Sequence, residues 1–398
     1  MKHSLRILMI LHMPWSRNLG GSRVQLELAD EFQAMGHQVE KFDYYDAFPK
    51  AKSSSPLKQL FRPSFSVKAK AFVKANAHRF DIIDAHQGNL PYSKQELGFK
   101  GLLVARSVGL YAFYDEFNKS ENIKNPPRKL KTQLGNFLRS WHSNRERPFY
   151  PRSLQTCDII NVPNYDELAY ISDVLNLGDK CVVFPFGLNQ DRYQNFQQAI
   201  KSYEERLSNK QIVFIGSWGP RKGSRDWLQI ITQVKKQVPN AKFLFLGTGV
   251  SLQKVLQDLN LPACDWINII PQYNSEELPM LLSGATVGAF PSYIEGFGFA
   301  VLEKLASGLP TIAYDVPGPR EILKLLDGSL LTPVGDVSVF AERLISLLNM
   351  DLAPYSELSN QCIGVANKFS WDIIAKQTLK VYYNDLEKIS VLHKCGMN

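Results

Sequence analysis

At 398 residues, with 44% hydrophobic and 21% charged residues, the chain is long enough for two domains of ordinary size and too apolar for a disordered protein. Its five cysteines are odd in number and form no C-x-x-C pair, which argues against a disulfide framework or a zinc site and indicates a reducing compartment. No apolar run reaches the ~20 residues that a membrane-spanning helix needs, and we interpret the N-terminal run as a buried strand rather than a signal peptide.

The net charge of +8 is unevenly distributed, because Lys and Arg exceed Asp and Glu by eight in residues 1–190 and only balance them in residues 191–398. Residues 47–80 contain no acidic side chain, and basic and apolar residues are interleaved there. Such a segment can lie on an anionic membrane surface, where each cation contributes about 1 kcal/mol. A solvated basic helix and loop explains the pattern equally well, and no nucleic-acid-binding motif accompanies the charge.

In the first half, short apolar runs alternate with amphipathic stretches, which predicts a parallel sheet with helices on both faces. The predicted strands are Leu5–His12, Gln38–Phe42, Phe80–His86, Gly101–Ala105, Asp158–Val162 and Cys181–Phe184. The first strand leads through Gly20 and Gly21 into a helix. Because open parallel sheets bind ligands beyond the carboxyl ends of their strands, this glycine loop is a candidate binding element, although an ordinary connector would have the same sequence. His86 ends a strand at the same edge, as either a ligand contact or a hydrogen-bonded structural histidine.

The second half repeats this alternation without a visible sequence repeat. The predicted strands are Ile212–Ile215, Lys242–Leu246, Ile267–Ile270, Thr286–Phe290, Pro310–Tyr314 and Ser329–Leu331. A polar, Gln-rich segment, residues 189–210, precedes them, and we predict that it links two domains.

A glycine turn follows the strand that ends at Phe290 and leads into a helix predicted from Phe299 to Ser307. Backbone N–H groups at a helix N-terminus form a ready anion site. Glu295 precedes this helix and Glu303 stands about one turn up it, so a bound anion would have one acid on each side. The arrangement suits a sugar–diphosphate–nucleoside, but Glu pairs at this spacing are also common on solvated helices.

The string from Glu295 to Glu303, EGFGFAVLE, followed by Ala306-Ser-Gly-Leu-Pro310, resembles the E-x7-E signature of the retaining glycosyltransferases of family four. The resemblance implies the GT-B fold, in which two Rossmann-like α/β domains with parallel sheets face a cleft. It also implies an acceptor-side domain over residues 1–190, a nucleotide-sugar domain over residues 205–374, and a last helix, about 375–398, that packs back on the first domain.

The same resemblance identifies donor-binding residues. The turn from Gly216 to Gly223 is similar to the family's G-R-L-x-P-x-K-G, in which Arg and Lys hold the diphosphate. Lys222 matches the lysine, Ser217 stands at the arginine position, and Arg221 is expected to restore the lost charge. Glu295 and Lys222 are the predicted catalytic residues. The full donor-binding set is Gly20, Gly21, Ser217, Arg221, Lys222, Pro271, Glu295, Gly296, Phe297, Gly298, Phe299 and Glu303.

On the acceptor side the sequence departs from the family. The strand before Leu110 resembles one that ends in R-S-H-G-L, but Val108 occupies the histidine position and cannot exchange a proton. A neighbour would then take over that role, or catalysis would proceed without it. The acceptor-side candidates are His86, Arg106, Ser107 and Tyr111.

The resemblance implies a cytoplasmic hexosyltransferase, peripheral at the inner face of a membrane, that moves a sugar from a UDP-sugar to a glycan or lipid-linked acceptor in bacterial surface polysaccharide synthesis. No metal or other cofactor is expected, because the chain carries no D-x-D motif. Two alternatives stay open: a UDP-sugar epimerase of the same fold, and a catalytically silent partner subunit.

Overall fold

The computed structural model describes residues 3–49, 63–124, 146–326 and 328–394. The chain forms two compact units: Met1–Pro185 together with Trp371–Asn398, and Phe186–Ser370. Each unit contains a six-stranded sheet in which all neighbouring strands are parallel. The predicted α/β class with two parallel sheets is therefore confirmed.

The sheet of the first unit has the strand order β2-β1-β3-β4-β5-β6. Its strands are β1 Arg6–Ile10, β2 Gln38–Phe42, β3 Ile82–His86, β4 Leu102–Arg106, β5 Ile159–Val162 and β6 Cys181–Val183. Every residue of β3, β4 and β5 is buried, because helices cover both faces of a parallel sheet. The helices are α1 Gly20–Ala34, α2 Tyr44–Ala47, α3 Phe65–Asn76, α4 Lys94–Leu97, α5 Tyr111–Lys124, α6 Phe149–Thr156, α7 Tyr165–Asp173 and α17 Trp371–Lys394.

The C-terminal helix α17 packs on α1 and β4 of this first sheet. A buried polar network fastens it there. Arg106 of β4 donates to Asp84 of β3 at 2.6 Å and to Asn161 of β5 at 3.0 Å. The Tyr382 hydroxyl of α17 donates to the same Asp84 carboxylate at 2.7 Å. These side chains are almost fully buried. The hydrogen bonds and charges of the partners therefore replace the hydration that Asp84 and Arg106 lose on folding.

Helix α3 lies in the basic segment at residues 47–80, of which residues 50–62 fall outside the described part of the chain. Its apolar residues serve the core: Phe65 and Val73 are buried, and the Phe72 ring stacks on Phe42 with centroids 4.5 Å apart. Val67 and Lys68 face solvent instead. This part of the segment therefore presents both lysines and apolar residues to solvent. In the described part of the chain, no helix is long and apolar enough to cross a bilayer.

The sheet of the second unit has the strand order β12-β11-β10-β7-β8-β9. Its strands are β7 Gln211–Ile215, β8 Lys242–Leu246, β9 Ile267–Ile270, β10 Val287–Phe290, β11 Thr311–Tyr314 and β12 Leu331–Thr332. The helices are α8 Gln190–Ala199, α9 Tyr203–Asn209, α10 Trp227–Gln237, α11 Leu252–Asp258, α12 Leu278–Leu282, α13 Phe299–Ala306, α14 Pro319–Leu323, α15 Val337–Leu348 and α16 Leu352–Asn367.

The linker predicted at residues 189–210 is wrong, because this segment forms α8 and α9 of the second unit. Asn189 caps α8 by accepting a hydrogen bond from the Arg192 amide at 2.8 Å, and Ser202 caps α9 in the same way. Phe196 anchors the segment, with no exposed surface. The polar composition reflects the solvent-facing sides of two short helices, while Phe196 and the hydrogen bonds of Arg192 and Gln197 hold α8 on the unit.

The network of Asp84, Arg106 and Tyr382 generates a prediction about stability. Tyr382→Phe removes one donor from a buried carboxylate and should lower the free energy of unfolding by about 1–3 kcal/mol, measured in urea. Tyr383→Phe is the matched control: it removes a hydroxyl that donates to the carbonyl of His3 and leaves no buried charge short of a partner. Equal losses in the two variants would contradict the role given to the network.

Candidate functional site

Two turns of the second unit are packed against each other at the carboxyl ends of β7 and β10. The first turn ends at Gly223, whose φ of +73° favours glycine. A Cβ atom at Gly223 would lie 2.2 Å from the carbonyl oxygen of Pro291 in the second turn. The Tyr293 amide also donates to the carbonyl of Arg221 at 2.9 Å. The backbone contacts therefore fix Arg221 and Lys222 beside the residues that follow β10.

These turns gather two cations around one carboxylate. The Lys222 ammonium is in ion-pair contact with Glu295, and Arg221 Nη1 lies 3.2 Å from the same Glu295 oxygen. The Glu295 side chain is only 11% exposed. Burial opposes its ionisation, but the charges of Lys222 and Arg221 outweigh that effect and hold the pKa of Glu295 below its ordinary value. Burial lowers the pKa of Lys222, although Glu295 counteracts it. With Lys222, Arg221 and Glu295 all ionised, the three side chains together carry one net positive charge.

A glycine turn leads from Glu295 into α13. Gly296, Phe297 and Gly298 are buried, and Gly298 has a φ of +93° at the N-terminal end of the helix. Phe297 and Phe299 pack on Phe186, with ring centroids 5.1 and 5.6 Å away. The turn is thus held on an aromatic support, with the N-terminus of α13 at the residues predicted to bind an anion.

Glu303 stands one turn up α13 and pairs with Arg192 of α8 at 2.6 Å. Arg192 also donates to the backbone carbonyl of Ser275, in the loop after β9, at 2.9 Å. It thereby joins α8, α13 and this loop. Sequence reasoning missed Arg192 because its segment was taken for a linker. Asn189, a favourable N-cap residue three positions earlier, was the available signal for the helix.

The remaining donor candidates are Ser217, Pro271, Gly20 and Gly21. Ser217 is exposed after β7, and Pro271 is exposed after β9, where its carbonyl accepts from the Gly249 amide at 3.0 Å. Gly20 and Gly21 belong to the first unit and open α1. A Cβ atom at Gly21 would lie 3.6 Å from Val108, the residue that replaces the family's histidine.

Three of the four acceptor-side candidates are buried in the first unit. Arg106 is 1% exposed and fully engaged by Asp84, Asn161 and Tyr382, so a contact with an acceptor is excluded in this conformation. Ser107 has no exposed surface. His86 is 2% exposed, neither of its ring nitrogens has a hydrogen-bond partner, and burial holds its pKa well below the ordinary value. The acceptor assignments of Arg106, Ser107 and His86 therefore need correction, because residues at the ends of central strands point into the packed interior here.

The fourth candidate, Tyr111, stacks on Tyr150 with ring centroids 3.8 Å apart. Tyr150 also lines a cavity of about 170 Å³ beyond the carboxyl ends of β1 and β3. We call this cavity the aromatic pocket; its lining includes His12, Tyr44, Phe65, Asn89, Glu146 and Tyr150. The pocket combines ring faces with hydroxyl, imidazole, amide and carboxylate groups, and His12 Nδ1 lies 3.2 Å from the Asn89 side-chain oxygen. Sequence reasoning missed His12, whose position just after β1 was the available signal.

Comparisons with known proteins agree with this architecture. Residues 195–368 match the family model described as Glycosyl transferases group 1. Phosphatidyl-myo-inositol mannosyltransferase of Mycobacterium tuberculosis is 24% identical over 382 residues, which cover 90% of this chain and 91% of that protein. O-antigen chain mannosyltransferase B of Escherichia coli is 28% identical over 193 residues, 48% of each chain.

Among solved structures, sucrose-phosphate synthase of Thermosynechococcus elongatus has a TM-score of 0.72 at 19% identity and covers 96% of this chain and 98% of its own. Anabaena HepE in complex with UDP and glucose has a TM-score of 0.64 at 14% identity and covers 96% of this chain and 100% of its own. The two parallel sheets thus match the GT-B fold. The family match and the mannosyltransferase relatives support a glycosyltransferase.

The packing of Gly223 on Pro291 predicts that a side chain at position 223 will destabilise the protein and disturb the cation cluster. Gly223→Ala places a side chain in the left-handed region and against a carbonyl oxygen, and should cost about 1–3 kcal/mol of stability while displacing Lys222. Gly219→Ala is the control, because Gly219 has an extended φ of −173° and nothing within 4 Å of its Cβ position. Unfolding in urea and nucleotide binding should both distinguish the variants. Equal stability of the Gly223→Ala and Gly219→Ala proteins would show that the two turns are not rigidly packed.

Proposed function

We propose that the protein is a retaining glycosyltransferase that moves a hexose from a nucleotide-diphosphate sugar to a glycan or lipid-linked acceptor. The observation that carries the proposal is the cluster of the half-buried Arg221 and the largely buried Lys222 and Glu295 beside the N-terminus of α13. Its net positive charge and low exposure suit a diphosphate, since electrostatic contacts strengthen where water is excluded.

The demanding step is the departure of the diphosphate. The bond from the anomeric carbon to the diphosphate oxygen breaks, its electron pair stays on the diphosphate, and the sugar becomes oxocarbenium-like. Lys222, Arg221 and the first amides of α13 would stabilise the developing negative charge. When the diphosphate engages the two cations, Glu295 can turn its carboxylate to the sugar hydroxyls and the cationic ring. Glu303, held by Arg192, would accept hydrogen bonds from the ribose. Retention is the route of the resembled family and is part of the proposal.

For the acceptor we propose the aromatic pocket of the first unit. Ring faces and neutral polar groups suit a sugar, while the carboxylate of Glu146 disfavours an anion in its immediate neighbourhood. The names of the relatives, an O-antigen chain mannosyltransferase and a phosphatidyl-myo-inositol mannosyltransferase, favour a surface-glycan or lipid-linked acceptor.

We propose that the protein works in the cytoplasm at the inner face of a membrane, with the basic residues in 47–80 on anionic lipid.

The first experiment measures thermal stabilisation by UDP, GDP and ADP in parallel. A ligand at 100 times its Kd adds about 2.7 kcal/mol, and we expect UDP to give the largest shift. Nucleotide release from UDP-glucose and from GDP-mannose is then followed with and without neutral glycosides or phosphatidylinositol vesicles, in the presence of EDTA. Release that requires an acceptor and persists in EDTA supports a metal-independent transferase. Conversion of the sugar without an acceptor would identify an epimerase, and nucleotide binding without turnover a silent subunit.

The donor cluster predicts a specific kinetic pattern. Lys222→Ala and Glu295→Ala should each lower kcat by about 10²-fold or more, because both contacts strengthen in the transition state. Glu303→Ala should instead raise the donor KM, since the ribose contact is the same in ground and transition states. Lys236→Ala, on the exposed side of α10, is the control. Near-normal kcat in both the Lys222 and Glu295 variants would refute the assignment.

The aromatic pocket predicts a complementary pattern. Tyr44→Ala removes a ring from the pocket lining and should raise the acceptor KM by roughly 5-fold while leaving the donor KM unchanged, because a stacked ring contributes about 1 kcal/mol. Tyr165→Ala, on the exposed surface of α7, serves as the control at 65% exposure. An unchanged acceptor KM in the Tyr44 variant would place the acceptor elsewhere.

A further inference from the structure

The side chain of Lys304 crosses β10 inside the second unit. It has no exposed surface, and its ammonium nitrogen donates to the carbonyl of Ala289 at 2.9 Å. The aliphatic stem passes over Gly288, where a Cβ atom would lie 2.6 Å from Lys304 Cδ. Glycine in the middle of a buried strand normally weakens it, and here it provides the space for the lysine stem. Lys304 is therefore a built-in feature of the core and not a surface residue that happens to be covered.

This buried amine lies directly behind the donor cluster. The Lys304 nitrogen is 5.2 Å from the centroid of the Phe290 ring, and the Lys222 nitrogen is 4.9 Å from the same centroid. The two distances together bound the separation of the nitrogens at about 10 Å. Both nitrogens contact the same buried aromatic ring, and such surroundings screen charge far less than water does. The charge near Lys222 therefore influences the pKa of Lys304.

Few charges compensate Lys304. Lys222 repels its protonated form, and Glu303, next in sequence, attracts it but is already paired with Arg192. Strand β10 has no ionisable side chain. The ionisable groups on the other elements packed on α13 are Asp191, Arg192 and Tyr193 of α8, Tyr314 of β11 (bonded to Asp226), Arg320 (paired with Asp315) and Glu321 of α14, and Tyr355, Glu357 and Cys362 of α16. Burial, together with the charge on Lys222, lowers the pKa of Lys304 to about 7.

We infer that Lys304 is a third cation of the donor site, which takes up a proton when a nucleotide-diphosphate sugar binds at Lys222. The inference rests on the proposed function, because it needs a diphosphate at the cluster. The neutral amine accepts a proton from the buffer, no bond in the donor changes, and the added charge offsets part of the charge of the diphosphate. Lys304 thereby ties donor affinity to pH without touching the donor.

The sign of the effect follows from linkage. Negative charge at about 10 Å raises the pKa of a buried amine by about one unit per charge at an effective dielectric constant of 20. The pKa of Lys304 is then higher in the bound state than in the free state. Its contribution to donor affinity is complete below the free-state value, near 7, and disappears as the pH rises through the bound-state value. Affinity should fall between pH 7 and pH 9.

Calorimetric titration in buffers of different ionisation enthalpy measures the number of protons taken up when the donor binds. UDP-glucose and GDP-mannose are the probes, because their diphosphates do not titrate near neutral pH. At pH 8, in phosphate and in Tris, the difference in binding enthalpy should report an uptake of on the order of half a proton per bound donor. Lys304→Met should abolish this uptake and make the affinity independent of pH between 7 and 9, since Met fits an apolar channel without titrating. Lys236→Met, with an exposed side chain, should behave as the unaltered protein.

Folding of the variants is checked by their stability against pH. In the unaltered protein the folded-state pKa of Lys304 lies below its ordinary value of 10.5, so the unfolded state binds more protons and stability rises from about pH 7 upward. Lys304→Met should flatten that rise, and Lys304→Leu serves as a second variant.

Three outcomes are decisive. Proton uptake that is lost with Lys304 supports the inference. Donor binding without uptake, or with equal uptake in the Lys304→Met protein, overturns it and leaves the proposed function intact. Failure of both donors to bind would refute the donor site itself, and the inference with it.

Discussion

The close approach of Gly223 to the Pro291 carbonyl is the constraint on which the candidate site depends. At this point two turns from neighbouring strands are packed backbone to backbone, which is possible only without a side chain. Because the backbone is fixed, Arg221 and Lys222 start from positions beside Glu295. The structure thus keeps two cations and one carboxylate together where ordinary surface side chains would separate. An excess of positive charge is held in place before any ligand arrives, which is the pre-organisation that an anion site requires.

Charge compensation separates the structural ion pairs of this protein from its site. In the first unit, Arg106 is as deeply buried as any side chain, but Asp84, Asn161 and Tyr382 surround it with acceptors and matched charge. In the second unit the balance is incomplete, since Glu295 faces two cations and Lys304 has one backbone carbonyl. A buried cation without a full set of partners costs stability. This loss of stability is explained if a negatively charged ligand supplies the missing partners of the cations.

The fold was predictable because the strands are buried on both faces and appear as apolar runs between helices. Lys222 and Glu295 were assigned to one site by the family resemblance, and the structure adds that both follow strands that lie side by side. Other features required the structure. The pairing of Arg106 with Asp84 depends on the register of β3 and β4, which no local pattern reveals. Arg192 was missed because its helix is polar on most sides, and its contacts with Glu303 and Ser275 join segments far apart in the sequence. Lys304 follows Glu303 in the chain and looks like an exposed helix lysine, until Gly288 is known to face it.

This distribution of charge offers an explanation for Val108 at the position where the family has a histidine. Val108 approaches Gly21, so the position is occupied by an apolar contact instead of a group that can hold a proton. If departure of the diphosphate limits the reaction, the groups that matter most are those that stabilise the leaving group. Those groups lie in the second unit, within the part of the chain that matches the glycosyltransferase family model. Under the proposed function, acceptor recognition belongs to the first unit, and the aromatic pocket is its proposed place.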